Sequence, residues 1–377
     1  MSVWPGKYVI GLTGNIATGK SVVRKMLEHL GAYGIDADAL AHRAIAKGAP
    51  GYQAVLDTFG KWILGPDEQI DRGRLARVVF TDPQALSRLE AIVHPLVRQA
   101  VDVLVRRSKQ KVIVIEAIKL LESPLRQNLD AMIVSFAPPQ VQLARLMQKR
   151  GMSEAVARER IKAQSPQEEK VAAANYVIRN DGSFEDTWRQ VVAVWQKIFP
   201  AYDAAPTSPA ATVEGKLAVE RARPHEAGEI ALFITRISNG RRRMEPENVM
   251  AAFGEKAFLL LKSGNRLAGV AGWQVENLVA RTDDVYLEPT IPLVDGMRQI
   301  LEEVENASRD LQCEVSLLFL PPSIARREEV WRNLGYEIRT IQSLGVRAWQ
   351  EAALESMPEG SVLLFKQLRK DRVLRPV

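Results

Sequence analysis

An apolar run, Val9-Ile10-Gly11-Leu12-Thr13, leads directly into Gly14-Asn15-Ile16-Ala17-Thr18-Gly19-Lys20-Ser21, and a helical pattern follows from Val22 to Leu30. The order strand, G-x-x-x-x-G-K-[ST], helix is that of a P-loop, which cradles the phosphates of a nucleoside triphosphate. Its glycines let the backbone curl so that the amides of residues 14 to 22 turn toward an anion, and the helix start adds its positive end. Lys20 then reaches the β- and γ-phosphates, while the Ser21 hydroxyl offers a hard oxygen to Mg²⁺.

A nucleotide needs something to act on, and acidic residues stand where an acceptor would lie. Ile35-Asp36-Ala37-Asp38 ends a second apolar run at the carboxyl edge of the expected sheet, where open α/β sheets bind ligands. If that segment is extended, Asp36 and Asp38 point the same way, one toward the metal shell and one toward an acceptor hydroxyl. Asp38 also reads as an N-cap for a helix opening at Ala39. Glu116 closes a third run, Val112-Ile-Val-Ile115, and is placed to join Ser21 near the metal. Farther on, a helix over 141–149 carries Arg145, Arg150-Gly151 breaks it, and a basic helix with Arg158 and Arg160 follows over 153–164. Arginines in such a lid would neutralise charge on a transferring phosphoryl group and keep water out.

The elements that must position these residues alternate short apolar runs with amphipathic stretches from Tyr8 to Phe199. This predicts an α/β fold with a parallel sheet of strands at 9–13, 33–35, 112–115, 131–136 and 176–178. About 75 residues of helical character separate the second and third strands, an insertion suited to covering or binding a ligand. Pro200 to Thr212 is small, Pro-rich and aperiodic, and we read residues 200–215 as a linker between a domain at 1–199 and another at 216–377. The second domain reads as α+β. Its expected helices are 226–238, 293–311 and 324–334, and its strands are 257–262, 267–275, 284–287, 314–320, 336–340 and 362–367.

Composition narrows the setting. Lys and Arg total 51 against 45 Asp and Glu, a net charge of +6 that suits anionic small ligands. No stretch nears the roughly 20 apolar residues of a membrane helix, and a single cysteine, Cys313, makes no intrachain disulfide. A cytoplasmic protein without membrane or nucleic-acid partners is expected, its oligomeric state left open.

Taken in order, these marks resemble the dephospho-CoA kinase family. They are the P-loop, Ile35-Asp-Ala-Asp38, Gly48-Ala-Pro50, Asp71-Arg72, His94-Pro95, Gln142-Leu-Ala-Arg145, Arg150, Ile161-Lys-Ala-Gln164, Glu168-Glu-Lys170 and Val177-Ile-Arg-Asn180. The resemblance implies ATP and dephospho-CoA as substrates and phosphorylation of the ribose 3′-hydroxyl, the last step of coenzyme A synthesis. It assigns Asp38 as proton acceptor, Arg72 and His94 to the CoA-side substrate, Arg145 and Arg150 to the lid, and Asn180 to the adenine loop. Asn15 and Ala17 depart from glycines common in the family. So does Glu116-Ala-Ile118-Lys119, which lacks the usual proline and sets Lys119 beside the acceptor pocket.

Other readings of the first half are a different nucleotide or nucleoside kinase of this fold, or an NTP-dependent switch with a partner-binding second domain. A guanine-reading N-K-x-D segment is absent. The second half resembles the GNAT acyltransferase fold, through its element order and Trp331-Arg-Asn-Leu-Gly335-Tyr336-Glu337. Where that family binds pyrophosphate with turn amides, this chain has Glu288-Pro-Thr-Ile-Pro292, and prolines donate no amide hydrogen bond. A degenerate GNAT-like domain is therefore expected.

Overall fold

A computed structural model describes residues 3–79, 81–200 and 217–369, apart from the side chains of Lys149 and Arg150. The first half runs β1 (Tyr8–Thr13), α1 (Lys20–His29), β2 (Tyr33–Asp36), α2 (Ala37–Ala44), α3 (Tyr52–Phe59), α4 (Arg72–Val79), α5 (Pro83–Arg107), β3 (Val112–Glu116) and β4 (Ala131–Phe136). It continues with α6 (Pro139–Arg150), α7 (Glu154–Lys162), α8 (Gln167–Ala172), β5 (Tyr176–Arg179) and α9 (Phe184–Ile198). The five strands pair in the order β2-β3-β1-β4-β5, all parallel.

Strand β1 is central and almost wholly buried, which is why it reads as an unbroken apolar run. On one face Val23, Met26 and Leu27 of α1 and Val191, Val194 and Trp195 of α9 pack onto Ile10, Leu12 and Ile133. The other face is covered by the insertion, with Leu40 of α2 and Val97, Val101 and Leu104 of α5 against Ile113 and Ile115. The P-loop leaves the carboxyl end of β1, flanked by the ends of β3 and β4.

The second half contains β6 (Leu217–Arg221), α10 (Ala227–Ile237), α11 (Pro246–Ala252), β7 (Ala257–Ser263), β8 (Arg266–Glu276), β9 (Val279–Leu287), α12 (Leu293–Asp310) and β10 (Val315–Leu320). It closes with α13 (Pro322–Ala325), α14 (Glu328–Asn333), β11 (Glu337–Ile338), α15 (Arg347–Ser356) and β12 (Val362–Gln367). Seven strands form one mixed sheet, β11-β12-β10-β9-β8-β7-β6, in which only β9 and β10 run parallel.

Three expectations change here. The strand expected at 284–287 begins at Val279, which pairs with Glu276 across a two-residue turn, and the buried Arg281 within it is neutralised by Glu276, 2.5 Å away. The helix expected over 324–334 is two short helices, α13 and α14. Strand β6 and helices α11 and α15 add to the expected elements. The expected linker lies outside the described residues from position 201 onward.

The two halves pack against each other. The β8–β9 turn, Asn277-Leu278, has both residues at positive φ, the geometry of a tight two-residue hairpin. Leu278 is buried in the same apolar cluster as Tyr33 and Leu104 of the first half. Around it Lys25 donates to the Val275 carbonyl at 2.7 Å, Arg43 pairs with Glu314 at 2.6 Å, and the Tyr33 hydroxyl donates to the Leu311 carbonyl at 3.3 Å.

Candidate active site

Between β1 and α1 the backbone folds over itself. Thr18 Oγ1 donates to the Asn15 carbonyl at 2.9 Å, and Lys20 Nζ reaches that carbonyl at 3.3 Å, which holds the ammonium at the cradle. Gly19 takes φ +88°, and a Cβ there would stand 1.8 Å from Asn180 Nδ2, so a side chain is excluded on both counts. Ala17 also lies in the left-handed region, at φ +59°, where an L-residue is strained. That is the physical meaning of its departure from glycine.

Behind the loop runs a chain of charged contacts. Ser21 Oγ donates to Glu116 Oε1 at 3.0 Å, Arg24 Nε donates to Glu116 Oε2 at 2.7 Å, and Arg24 Nη1 donates to Glu28 Oε1 at 2.7 Å. Burial opposes the charge on Arg24, but Glu28 and Glu116 more than reverse this and raise its pKa above the ordinary guanidinium value. Glu28, despite burial, is drawn down to about 2 by Lys25 and Arg24.

The two aspartates part company. The chain turns helical at Ala37, so Asp36 is the N-cap of α2, its Oδ1 accepting from the Ala39 amide at 2.8 Å. The expectation of an extended segment with both carboxylates on one side is thereby corrected, and so is the cap reading of Asp38. Asp38 sits in the first helical turn, where its Oδ2 accepts from the Ile118 amide at 3.0 Å. Burial raises its pKa, while the Ile118 hydrogen bond and the charges of Lys20 and Lys170 pull back. Asp36 is raised to about 6 by burial and by the nearby Glu116.

Lys170, on α8, was not singled out from the sequence. Its buried Nζ donates to Asn15 Oδ1 at 2.8 Å and to the Ile118 carbonyl at 3.1 Å, so it bridges the P-loop and the segment that holds Asp38. Gln164 was likewise missed as a site residue; its Oε1 accepts from the P-loop amide of Ile16 at 2.7 Å. Their signal lay in the quoted motifs, but only folding brings positions 164 and 170 beside position 16.

Arg145 stands over the loop, donating to the Ala17 carbonyl at 3.1 Å and the Asn180 carbonyl at 2.8 Å. Asn180 Nδ2 donates to the Thr18 carbonyl at 2.9 Å. These two therefore join the P-loop residues. The side chain of Arg150 lies outside the described residues, although its backbone ends α6 as expected before Gly151. Arg72 pairs at the surface with Glu351 of the second half at 3.3 Å. His94 is exposed in the middle of α5. Lys119 turns outward to Glu90 at 3.0 Å, so the described geometry does not aim its charge at Asp38.

Ser21 Oγ and Glu116 Oε1 form a pair of hard oxygen donors at the loop, a set that fits Mg²⁺. Among the described residues no group of three or more His, Cys, Asp or Glu side chains is arranged to hold an ion unaided.

The family model for dephospho-CoA kinase matches residues 8–186. A dephospho-CoA kinase of Geobacter metallireducens is 44% identical over 192 residues, covering 50% of this chain and 96% of that protein. One of Aquifex aeolicus is 44% identical over 190 residues, with 50% and 96% covered. Among solved structures, an acetyltransferase of the GNAT family from Staphylococcus aureus Mu50 aligns at 11% identity and TM-score 0.33, covering 41% of this chain and all of that one. With such kinases matched along nearly their whole length and the P-loop intact, the chain belongs to the dephospho-CoA kinase family.

Proposed function

We propose that Asp38 accepts the proton of the ribose 3′-hydroxyl of dephospho-CoA as the γ-phosphoryl group of ATP is transferred to it. The observation that carries this is the placement of Asp38. Its carboxylate is pinned by the Ile118 amide, and it feels the charges of Lys20 and Lys170, which also border the phosphate cradle. Burial raises its proton affinity, which suits a group that must take a proton during transfer. Lys20 and Arg145 neutralise charge on the phosphates, Lys170 fixes the P-loop relative to Asp38, and Asn180 closes the nucleotide side. Ser21 and Glu116 would hold Mg²⁺, which when bound neutralises charge on the phosphate oxygens. The lid formed by α6 and α7, with Arg150 at the end of α6, excludes water so that ATP is not simply hydrolysed. Arg72 and His94 are assigned to the CoA-side substrate through their family positions.

Residues 1–199 are the kinase domain, 200–215 the linker and 216–377 a GNAT-like domain without acyl transfer. In support of the last, the residue at the N-cap of α12 is Pro292, which has no amide to offer a pyrophosphate at the helix start. A cytoplasmic setting agrees with the lone, buried Cys313.

The test is to incubate the full chain with Mg²⁺-ATP and dephospho-CoA, score 3′-phosphorylated product by mass, and compare Asp38→Asn. Turnover should fall about 10²- to 10⁴-fold while ATP affinity is kept. An Asp38→Asn enzyme as fast as the parent removes Asp38 from this role.

A further inference from the structure

Behind α1, on the side away from the phosphate cradle, a cavity of about 380 Å³ lies between the two halves, within the usual range for small-ligand sites. Its walls come from Lys25, Glu28 and His29 of α1, Arg221 of β6, Trp273 of β8 and Glu303 of α12. Most charges here have partners. Glu28 is held by Arg24 and Lys25, at 2.7 and 2.9 Å, and Asp310 on the rim by Lys109 at 2.7 Å.

Arg221 differs. It is exposed at the cavity mouth, its guanidinium over the Trp273 ring, 5.6 Å from the centroid; Glu28 and Glu303 of the same cavity act on it through their charge, without an ion pair among the described residues. Its close polar neighbour is His29 Nδ1 at 3.4 Å. His29 Nε2 lies 2.8 Å from the Phe253 carbonyl and must carry the ring proton, so Nδ1 is left to accept from Arg221. An accepting nitrogen orients the guanidinium without neutralising it, and the charges of Glu28 and Glu303 reach it without a direct ion pair. A planar cation so placed, with donors to spare, matches a phosphate or carboxylate group.

The cavity also touches the catalytic machinery through covalent and ionic structure. Glu28 lines it, and Glu28 leads through Arg24 and Glu116 to Ser21 by contacts of 2.7, 2.7 and 3.0 Å. We infer that this interdomain cavity is an effector site for a small organic anion, bound through Arg221 and sensed at the P-loop through the Glu28–Arg24–Glu116–Ser21 chain. The ligand class is a phosphate- or carboxylate-bearing molecule small enough for the cavity.

The full chain, with the P-loop filled by a saturating non-hydrolysable ATP analogue and Mg²⁺, would be titrated calorimetrically with inorganic phosphate and separately with succinate. At least one probe should bind, and Arg221→Gln should weaken it about tenfold or more; which probe binds distinguishes phosphate from carboxylate. Hydrogen exchange on the unmodified chain gives a reading that needs no variant, with protection expected at 25–31, 221 and 273–275. In kinase assays the probe should shift the KM for ATP in the parent chain more than in Arg221→Gln. Lack of binding by either probe, binding indifferent to Arg221, or protection elsewhere overturns the site. Binding with equal kinetic effects in parent and variant overturns the effector role.

Discussion

Consider removing the guanidinium that joins the metal-side carboxylate to α1, by Arg24→Met. Arg24 and Glu116 are both about 5% exposed at their side chains and meet at 2.7 Å, so solvent screens the pair little. For charge centres about 4 Å apart at an effective dielectric of about 20, the attraction is about 4 kcal/mol. Desolvation offsets part of that gain, but removing one partner leaves the other carboxylate buried and under-compensated, at a cost of about 3–5 kcal/mol. Glu116→Gln should cost less, about 1–2 kcal/mol, because Arg24 keeps Glu28. In the double variant the penalties overlap, and the coupling should be about 2–4 kcal/mol. Urea unfolding followed by tryptophan fluorescence, on the parent, both single variants and the double variant, measures it. Penalties that simply add, within about 0.5 kcal/mol, would refute the view that Arg24 and Glu116 act as a pair. With ATP, Arg24→Met should also raise KM, since Glu116 loses the contact that orients it toward Ser21.

Lys170→Met should lower kcat by one to two orders of magnitude, roughly the effect of losing one well-placed charge-assisted contact, and a rate like that of the parent would show Lys170 to be merely structural. Ala17→Gly relieves a positive φ but loosens the unfolded chain, so thermal unfolding should show stabilisation of up to about 1 kcal/mol; a clear loss would contradict the strain. Burial, then the charge of Arg221, depresses the His29 pKa to about 3. The unfolded chain therefore binds the extra proton first, and stability present above pH 6.5 is lost as pH falls from about 6.5 toward 3. His29→Gln, whose amide can serve both neighbours, should flatten that decline in denaturation series between pH 8 and 5, and an unchanged slope would assign it to other groups.

The sheet and the P-loop were legible in the sequence because each is a contiguous pattern: β1, the loop and α1 occupy adjacent positions and carry their own physical signature. Asp38 was legible as a site residue, but its conformation was not, since whether a short acidic segment stays extended depends on where Asp36 finds an amide to cap. Lys170 reads locally as one charge on a polar helix, and its role exists only because α8 folds back onto Asn15. Arg72 shows the converse: its family position points to substrate, while in this chain it meets Glu351, a partner supplied by the second half. In the second half, Arg281 hid the start of β9, since a buried cation in a strand is intelligible only once Glu276 stands beside it.

The Asn277-Leu278 turn has a consequence for how this chain is to be divided. Leu278, with Leu311 packed beside it, completes an apolar cluster whose other members belong to the first half, so similarity to other kinases ends at one boundary and core packing at another. The packed unit is thus larger than the unit related to those kinases. The kinase surface around Tyr33 and Leu104 is correspondingly covered by a hairpin encoded more than a hundred and fifty positions away. A replacement second domain would have to supply the same plug, or the kinase would have to rebuild the face it leaves bare.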